Sequence, residues 1–298
     1  MADDRPLVSI LIPGYKPRHF EIALTSALAQ AWPNKEIIVS DDCRTEEIAA
    51  ICARYPGVAY SRNPRPGVHS NLLRLADLAR GEYLKYLFDD DILHPLCVGQ
   101  MMDGFAKART ATLAFSPRDL IDADNRIVQR PRSFNVKEAL TLIPGAQLMH
   151  RCITDAINHV GEFSTVMFRK RDVLDADGRP DFFTWHGMPV PGLGDIATWL
   201  RLCECGDVLY FAEPLSYFRM HGDSNTGSIQ SAVYRAGVTD WIVFAKFACG
   251  DARFSRADRL HCLDRIRQRL LRKMPAIPDL ATELREVEAM IRDVSQAA

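Results

Sequence analysis

A chain of 298 residues, 47% hydrophobic and 25% charged, is long enough to bury a substantial core, as one large domain or two small ones. Its 37 basic and 38 acidic side chains balance, so no global field draws it to nucleic acid. No run of ~18 apolar residues occurs, and the amino terminus has no apolar signal core, so a soluble, cytoplasmic protein is expected. The eight cysteines follow no framework spacing, and Cys203 and Cys205 lack the Cys-x-x-Cys interval of zinc or redox sites. They read as small hydrophobes in a reducing compartment.

In chain order, residues 7–12 are an apolar strand signal broken by Pro13 and Gly14. Phe20, Ala23, Leu24, Ala27 and Leu28 then recur at helical spacing as far as Trp32. A second strand over 36–40 runs into Asp41 and Asp42, and a helix follows over 45–55. Strand 58–61, helix 69–80 and strand 83–88 complete four strand–helix alternations within the first 95 residues. Such alternation predicts βαβ units, a parallel sheet and right-handed crossovers. Further on, the pattern predicts helix 96–108, strand 112–115 and a hairpin turning at 122–126. Residues 131–145 are less regular, and helix 146–158 and strand 165–169 follow. Residues 175–194 read as a long Gly- and Pro-rich loop. Its Phe182, Phe183, Trp185 and His186 suit either an acceptor pocket or core packing. Helix 195–205, strands 208–211 and 215–218 and a polar turn at 221–225 come next. From about 228 the character changes to three helices over 232–249, 256–273 and 278–294. The Arg-rich second of these reads as a solvated face, with contact to anionic lipid as the alternative. The three helices leave open a homodimer contact or a cover for the sheet.

The stretch 81–95 organises the rest. A buried strand runs straight into Asp89, Asp90 and Asp91, and three carboxylates there repel one another. A bound cation is the simplest way to hold them; an acidic turn before a helix N-terminus is the bland alternative. Tyr15 and Lys16 follow the first strand, Asp41 and Asp42 the second. If the strands are parallel, all these groups share one sheet edge, where open α/β sheets bind ligands.

The fragments VSILIPGYK (8–16), LTSALAQ (24–30), WPNKEIIVSDD (32–42), Asn63 with Gly67, GEYL (81–84) and FDDDILHP (88–95) resemble, in order and spacing, the family 2 glycosyltransferases. HVGEFSTVMFR (159–169), GDIATWLRL (194–202) and PLSYFRMH (214–221) extend the likeness over residues 7–226. The resemblance implies the GT-A fold: an α/β, Rossmann-like domain with a mixed, mainly parallel central sheet flanked by helices. It would span 1–226, with a nucleotide-sugar-binding half at 1–110 and an acceptor-binding half at 111–226, followed by a helical extension at 227–298.

The implied reaction is inverting, metal-assisted transfer from a nucleoside-diphosphate sugar, UDP expected, to an acceptor hydroxyl. The usual setting is bacterial polysaccharide or glycoconjugate synthesis. The acceptor would be a saccharide or a lipid-linked saccharide, the latter reached peripherally at the inner face of the membrane. Pro13, Tyr15, Asp41, Asp42, Asn63 and Asp89 are the implied donor-nucleotide residues; of Asp41 and Asp42, one is expected to cap the next helix and the other, Asp41 by preference, to read the nucleotide. Asp90, Asp91 and His221 are the implied ligands of Mn2+ or Mg2+, and Asp195 the general base. The chain departs from the pattern at Gly14 and Lys16, at Gly194 where a Glu is usual, and at Phe88 where many members carry the first Asp of Asp-x-Asp. Two competitors are a sugar nucleotidyltransferase and a catalytically silent assembly protein on the same fold. The first should show a longer Gly-rich phosphate loop than residues 13–16; the second should lack Asp90 or Asp195.

Overall fold

The computed structural model describes residues 5–132, 134–220 and 231–297. The chain forms two compact units that interleave along the sequence: Met1–Pro144, Val160–Asp181 and Cys205–Gly222 in the first, Gly145–His159, Phe182–Glu204 and Asp223–Ala298 in the second. The first opens with β1 (Val8–Gly14), α1 (Pro17–Leu28), β2 (Lys35–Asp41), α2 (Glu47–Cys52), β3 (Val58–Arg62), α3 (Val68–Leu78) and β4 (Tyr83–Tyr86). It continues through β5 (Ile92–Leu93), α4 (Cys97–Lys107), β6 (Ala111–Phe115), β7 (Arg118–Ile121), β8 (Ile127–Gln129) and β9 (Leu140–Ile143). After α5 (Gly145–Asp155) of the second unit comes β10 (Val166–Arg169) of the first. The hairpin β11 (Thr184–Trp185) and β12 (Met188–Pro189) and the helix α6 (Gly194–Cys205) precede β13 (Asp207–Phe211) and β14 (Ser216–Arg219). The helices α7 (Ala232–Thr239), α8 (Trp241–Gly250), α9 (Arg256–Lys273) and α10 (Ala281–Gln296) complete the chain.

The main sheet of the first unit has the order β3-β2-β1-β4-β10-β6-β13-β9. The predicted parallel half is there: β3, β2, β1 and β4 all run parallel. β10 is antiparallel to β4 and β6, β13 is parallel to β6, and β9 is an antiparallel edge. β1 is buried along its whole length, which is why it reads as a continuous apolar run rather than an alternating one. Ile10, Ile12 and Val39 of the sheet share one core cluster with Phe20 and Leu24 of α1 and Met101 and Phe105 of α4. A smaller sheet, β5-β14-β7-β8, contains the predicted hairpin. No helix among the described residues is long and apolar enough to cross a membrane.

Three expectations need correction. Residues 131–145 hold β9, whose half-exposed edge position gives no buried stripe to read, with Leu142 47% exposed. The predicted helix 232–249 is two helices broken at Asp240. The Asp240 carboxylate accepts a hydrogen bond from the Gly192 amide, and burial lifts its pKa to about 6. The long loop 175–194 contains the β11–β12 hairpin, and its Phe182 and Trp185 are buried in the second unit. Trp185 meets Phe244 and Phe247 edge-on, at 6.0 and 5.4 Å, so core packing accounts for these two aromatics.

A polar lock at the amino ends of β1, β2 and β4 fixes their register. Glu36 accepts from the Ser9 hydroxyl (2.6 Å), the Arg80 amide (2.7 Å) and Arg80 Nε (2.9 Å), while Ser9 Oγ accepts from the Gly81 amide (2.9 Å). A Cβ at Gly81 would stand 2.6 Å from Ser9 N and 2.8 Å from Leu7 O, both backbone atoms that cannot step aside. Gly81→Ala is therefore expected to lower unfolding stability by about 1–3 kcal/mol in urea titrations. Gly99→Ala, in α4 with nothing near the added Cβ, should raise it by about 0.5–1 kcal/mol.

Candidate active site

Sheet topology places a crevice before any side chain is considered. β2 and β3 lie to one side of β1 and β4 to the other, so the loops leaving β1 and β4 diverge at a switch of strand order. The first acid of the triplet bridges that point. Asp89 Oδ2 accepts from the amides of both Tyr15 and Lys16, each at 2.6 Å, and so ties the tip after β4 to the turn after β1. Burial is the main reason its pKa rises to about 6; the charge of Asp90 adds to the rise, and the two amides oppose it. Pro13 is buried at the end of β1, whereas Tyr15 is 46% exposed, with Lys16 Nζ 5.8 Å from its ring centroid. A hollow of about 330 Å³ opens beside this turn, lined by Tyr15, Lys16, Cys43, Arg44 and Thr45.

The other two acids differ. Asp90 is half-buried. Asp91 is 1% exposed: its Oδ1 accepts from the Arg219 amide at 3.1 Å, and its Oδ2 is buried without a hydrogen-bond partner. Burial pushes Asp91 up to about 8, helped by the charge of Asp90 and opposed by the Ser164 hydroxyl and the Arg219 amide. Ser164 Oγ also accepts from the Phe88 amide at 3.0 Å. Lys85, wholly buried in β4, donates to the carbonyls of Ser164 (2.6 Å) and Tyr86 (3.2 Å), and burial pulls its pKa down. Arg219, Ser164 and Lys85 were not singled out in the sequence. A charged residue inside an apolar strand was the one available signal, at Lys85.

An unpaired, buried carboxylate oxygen in a cluster of raised acids suits a divalent cation. Among the described residues no three His, Cys, Asp or Glu side chains converge into a cage. Cations that share substrate phosphates need only one or two protein carboxylates, which Asp90 and Asp91 can supply. His221 lies outside the described residues.

Asp41 is wholly buried. Its Oδ1 accepts from the Cys43 amide (2.7 Å), and its Oδ2 accepts from the Tyr60 hydroxyl (2.8 Å) and lies 3.1 Å from Arg62 Nη1. Asp42 Oδ2 accepts from the Gly67 amide at 2.9 Å. Neither caps α2, which starts later than predicted, at Glu47, with Glu46 at its N-cap and no side-chain cap bond. The aspartates instead hold the loops after β2 and β3, and turn chemistry has outcompeted the cap. Asn63 is buried at the end of β3: its amide donates to the Asp41 carbonyl (2.9 Å), and its Oδ1 accepts from the Arg65 amide (3.2 Å).

Asp195 belongs to the second unit. It lies in the first turn of α6, where its Oδ1 accepts from the Ile196 amide (2.8 Å) and its Oδ2 from Asn158 Nδ2 (2.9 Å). A Cβ at Gly194 would stand 2.2 Å from the Phe183 ring, so that ring fills the space a side chain at 194 would take.

The family model described as Glycosyl transferase family 2 matches residues 9–174, more than half of the chain. The putative teichuronic acid biosynthesis glycosyltransferase TuaG of Bacillus subtilis (strain 168) is 25% identical over 261 residues, covering 82% of this chain and 89% of that protein. Protein MT1568 of Mycobacterium tuberculosis (strain CDC 1551 / Oshkosh) is 28% identical over 252 residues, covering 80% of this chain and 76% of that protein. The crystal structure of S. aureus TarS 1-349 in complex with UDP-GlcNAc matches with a TM-score of 0.61 over 90% of this chain and 72% of that one. At 15% identity that is a likeness of fold.

The raised acids carry a pH signature. Asp89 and Asp91 bind protons more tightly when folded than when unfolded, so their contribution is fully present below the unfolded pKa, near 4, and is lost as pH rises through about 6 and about 8. With EDTA present, stability is expected to fall between pH 5 and 8, each acid adding a slope of at most about 1.4 kcal/mol per pH unit. Asp91→Asn should flatten the fall above pH 6 in chemical denaturation measured at each pH.

Proposed function

The chain belongs to glycosyl transferase family 2, and from that premise we propose that it transfers a sugar, with inversion, from a UDP-sugar to an acceptor hydroxyl in bacterial polysaccharide or glycoconjugate synthesis. The observation that carries the proposal is the acidic tip bound to the β1 turn at the sheet's switch point, with Asp90 and Asp91 beside the clamp. TuaG is described as acting in teichuronic acid biosynthesis, and the TarS fragment is seen with UDP-GlcNAc. Both support a nucleotide-sugar donor and a glycan acceptor, either a saccharide or a lipid-linked one.

In this reading the turn at Pro13 and Tyr15, with Asp41, Asp42 and Asn63, lines the nucleotide, and Asp89 keeps that turn in place. Asp90 and Asp91 would hold Mn2+ or Mg2+, with His221 as a further ligand. The ion, when bound, neutralises charge on the departing diphosphate. Asp195 takes the proton of the acceptor hydroxyl. As the oxygen bonds to the anomeric carbon, the bond from that carbon to the diphosphate oxygen breaks on the opposite face, which inverts the centre. Asn158 holds the orientation of Asp195.

Calorimetry with UDP, GDP, dTDP and CMP, with and without Mn2+, tests the donor side. UDP should bind the wild type in a Mn2+-dependent way, and Asp90→Asn should weaken it by about tenfold or more. Binding of no nucleotide by either protein would overturn the proposal. Asp195→Asn should leave UDP affinity unchanged while turnover falls by about 10²–10⁴.

A further inference from the structure

Arg219 ends β14, and its guanidinium is almost wholly enclosed, with the residue 1% exposed. Its Nε donates to the Asp90 carbonyl (2.8 Å), Nη1 to the carbonyls of Asp122 (2.9 Å) and Ala123 (3.4 Å), and Nη2 to Asn125 Oδ1 (2.7 Å). Its own amide donates to Asp91 Oδ1. A cation placed to neutralise the acidic tip would aim at carboxylates. This one donates to neutral oxygens, three main-chain carbonyls and one carboxamide. The fork thereby fixes main chain.

The anchor on the far side is equally specific. Asn125 sits in the turn between β7 and β8 with a φ of 65°, a conformation asparagine tolerates and bulkier residues avoid. Asp122, whose carbonyl receives Nη1, uses its own Oδ1 to close the turn on the amides of Asp124 and Arg126 (both 2.9 Å). Arg219 therefore couples a closed turn to the backbone of the tip.

We infer that Arg219 is a positioning residue: by bracing the Asp90 main chain against the 122–125 turn, it presents Asp90 to a divalent cation. The inference rests on the proposed metal-assisted transfer for its consequence, though not for the bracing itself. Lysine at 219 keeps the charge and loses the fork, whereas glycine at 125 keeps the backbone conformation and removes one acceptor.

The test uses the full chain carrying Arg219→Lys or Asn125→Gly. In the metal-free protein, amide hydrogen exchange over residues 88–92 should quicken by about tenfold or more in Arg219→Lys, and less in Asn125→Gly, with β1 and β2 unchanged. The Mn2+ concentration that half-saturates UDP binding should rise about 10–100-fold in Arg219→Lys, with UDP affinity at saturating Mn2+ preserved. Wild-type exchange at the tip in both variants would overturn the inference, as would an unchanged Mn2+ requirement in Arg219→Lys where the wild type needs Mn2+. If the wild type binds no nucleotide, the proposed function falls while the exchange measurement still decides the bracing. If Arg219→Lys does not fold, Asn125→Gly decides it alone.

Discussion

Three consecutive carboxylates at the end of a buried strand repel one another, and much of the first unit is arranged around that repulsion. Asp89 is held by two backbone amides, and Asp91 by one amide and the neighbourhood of a serine hydroxyl. Neither arrangement offsets the desolvation that burial imposes, which is why both acids stay above the ordinary carboxylate range. Lys85 approaches from within β4 but donates to two carbonyls, and Arg219 approaches from β14 and donates to three carbonyls and a carboxamide. Both cations thus stabilise the geometry of the tip through main-chain oxygens. Removing a partner from such a buried cluster costs more than its hydrogen bonds suggest, because the remaining charge stays desolvated.

The backbone explains why the tip stands where it does. β1 and β4 are adjacent and parallel, but the chain reaches β4 only after β2 and β3 have been laid on the other side of β1. The turn after β1 and the tip after β4 are thus neighbours in space and 73 or 74 residues apart in sequence. Asp89 closes that gap with one carboxylate oxygen. The Glu36–Ser9–Arg80 lock at the opposite edge sets the register that brings the two ends level.

The parts legible in the sequence are those whose signal is local. Buried parallel strands announce themselves as apolar runs, and the alternation with amphipathic helices gave the order of the first half. α9, predicted over 256–273, has those bounds because Ser255 and Asp258 form a capping box that marks its start. The acidic tip was legible because three like charges after a strand violate an ordinary pattern. What escaped depends on distant partners. β5 has only two residues and exists by pairing with β14, while β9 is an exposed edge set by β13. The expected cap at Asp41 or Asp42 gave way to Tyr60, Arg62 and Gly67, none of which identifies itself as a partner in sequence. Arg219 is 129 residues from the carbonyl it braces, and no periodicity could connect them.

The departures from the family pattern acquire a physical meaning at the same place. Phe88 stands where the resemblance expects the first acid of Asp-x-Asp, and its ring meets Phe163 edge-to-face with centroids 6.4 Å apart. Phe163 in turn meets Tyr86 edge-on at 5.1 Å. A carboxylate at 88 would face these rings and lose solvation without gaining a partner, whereas a phenyl ring there adds to an aromatic stack that supports the tip from the apolar side. Phe88 also keeps its amide on Ser164 Oγ, the hydroxyl that opposes the rise of Asp91. In the proposed reading the acids of the metal site are Asp90 and Asp91, which stand next to these rings and to the main chain that Arg219 holds.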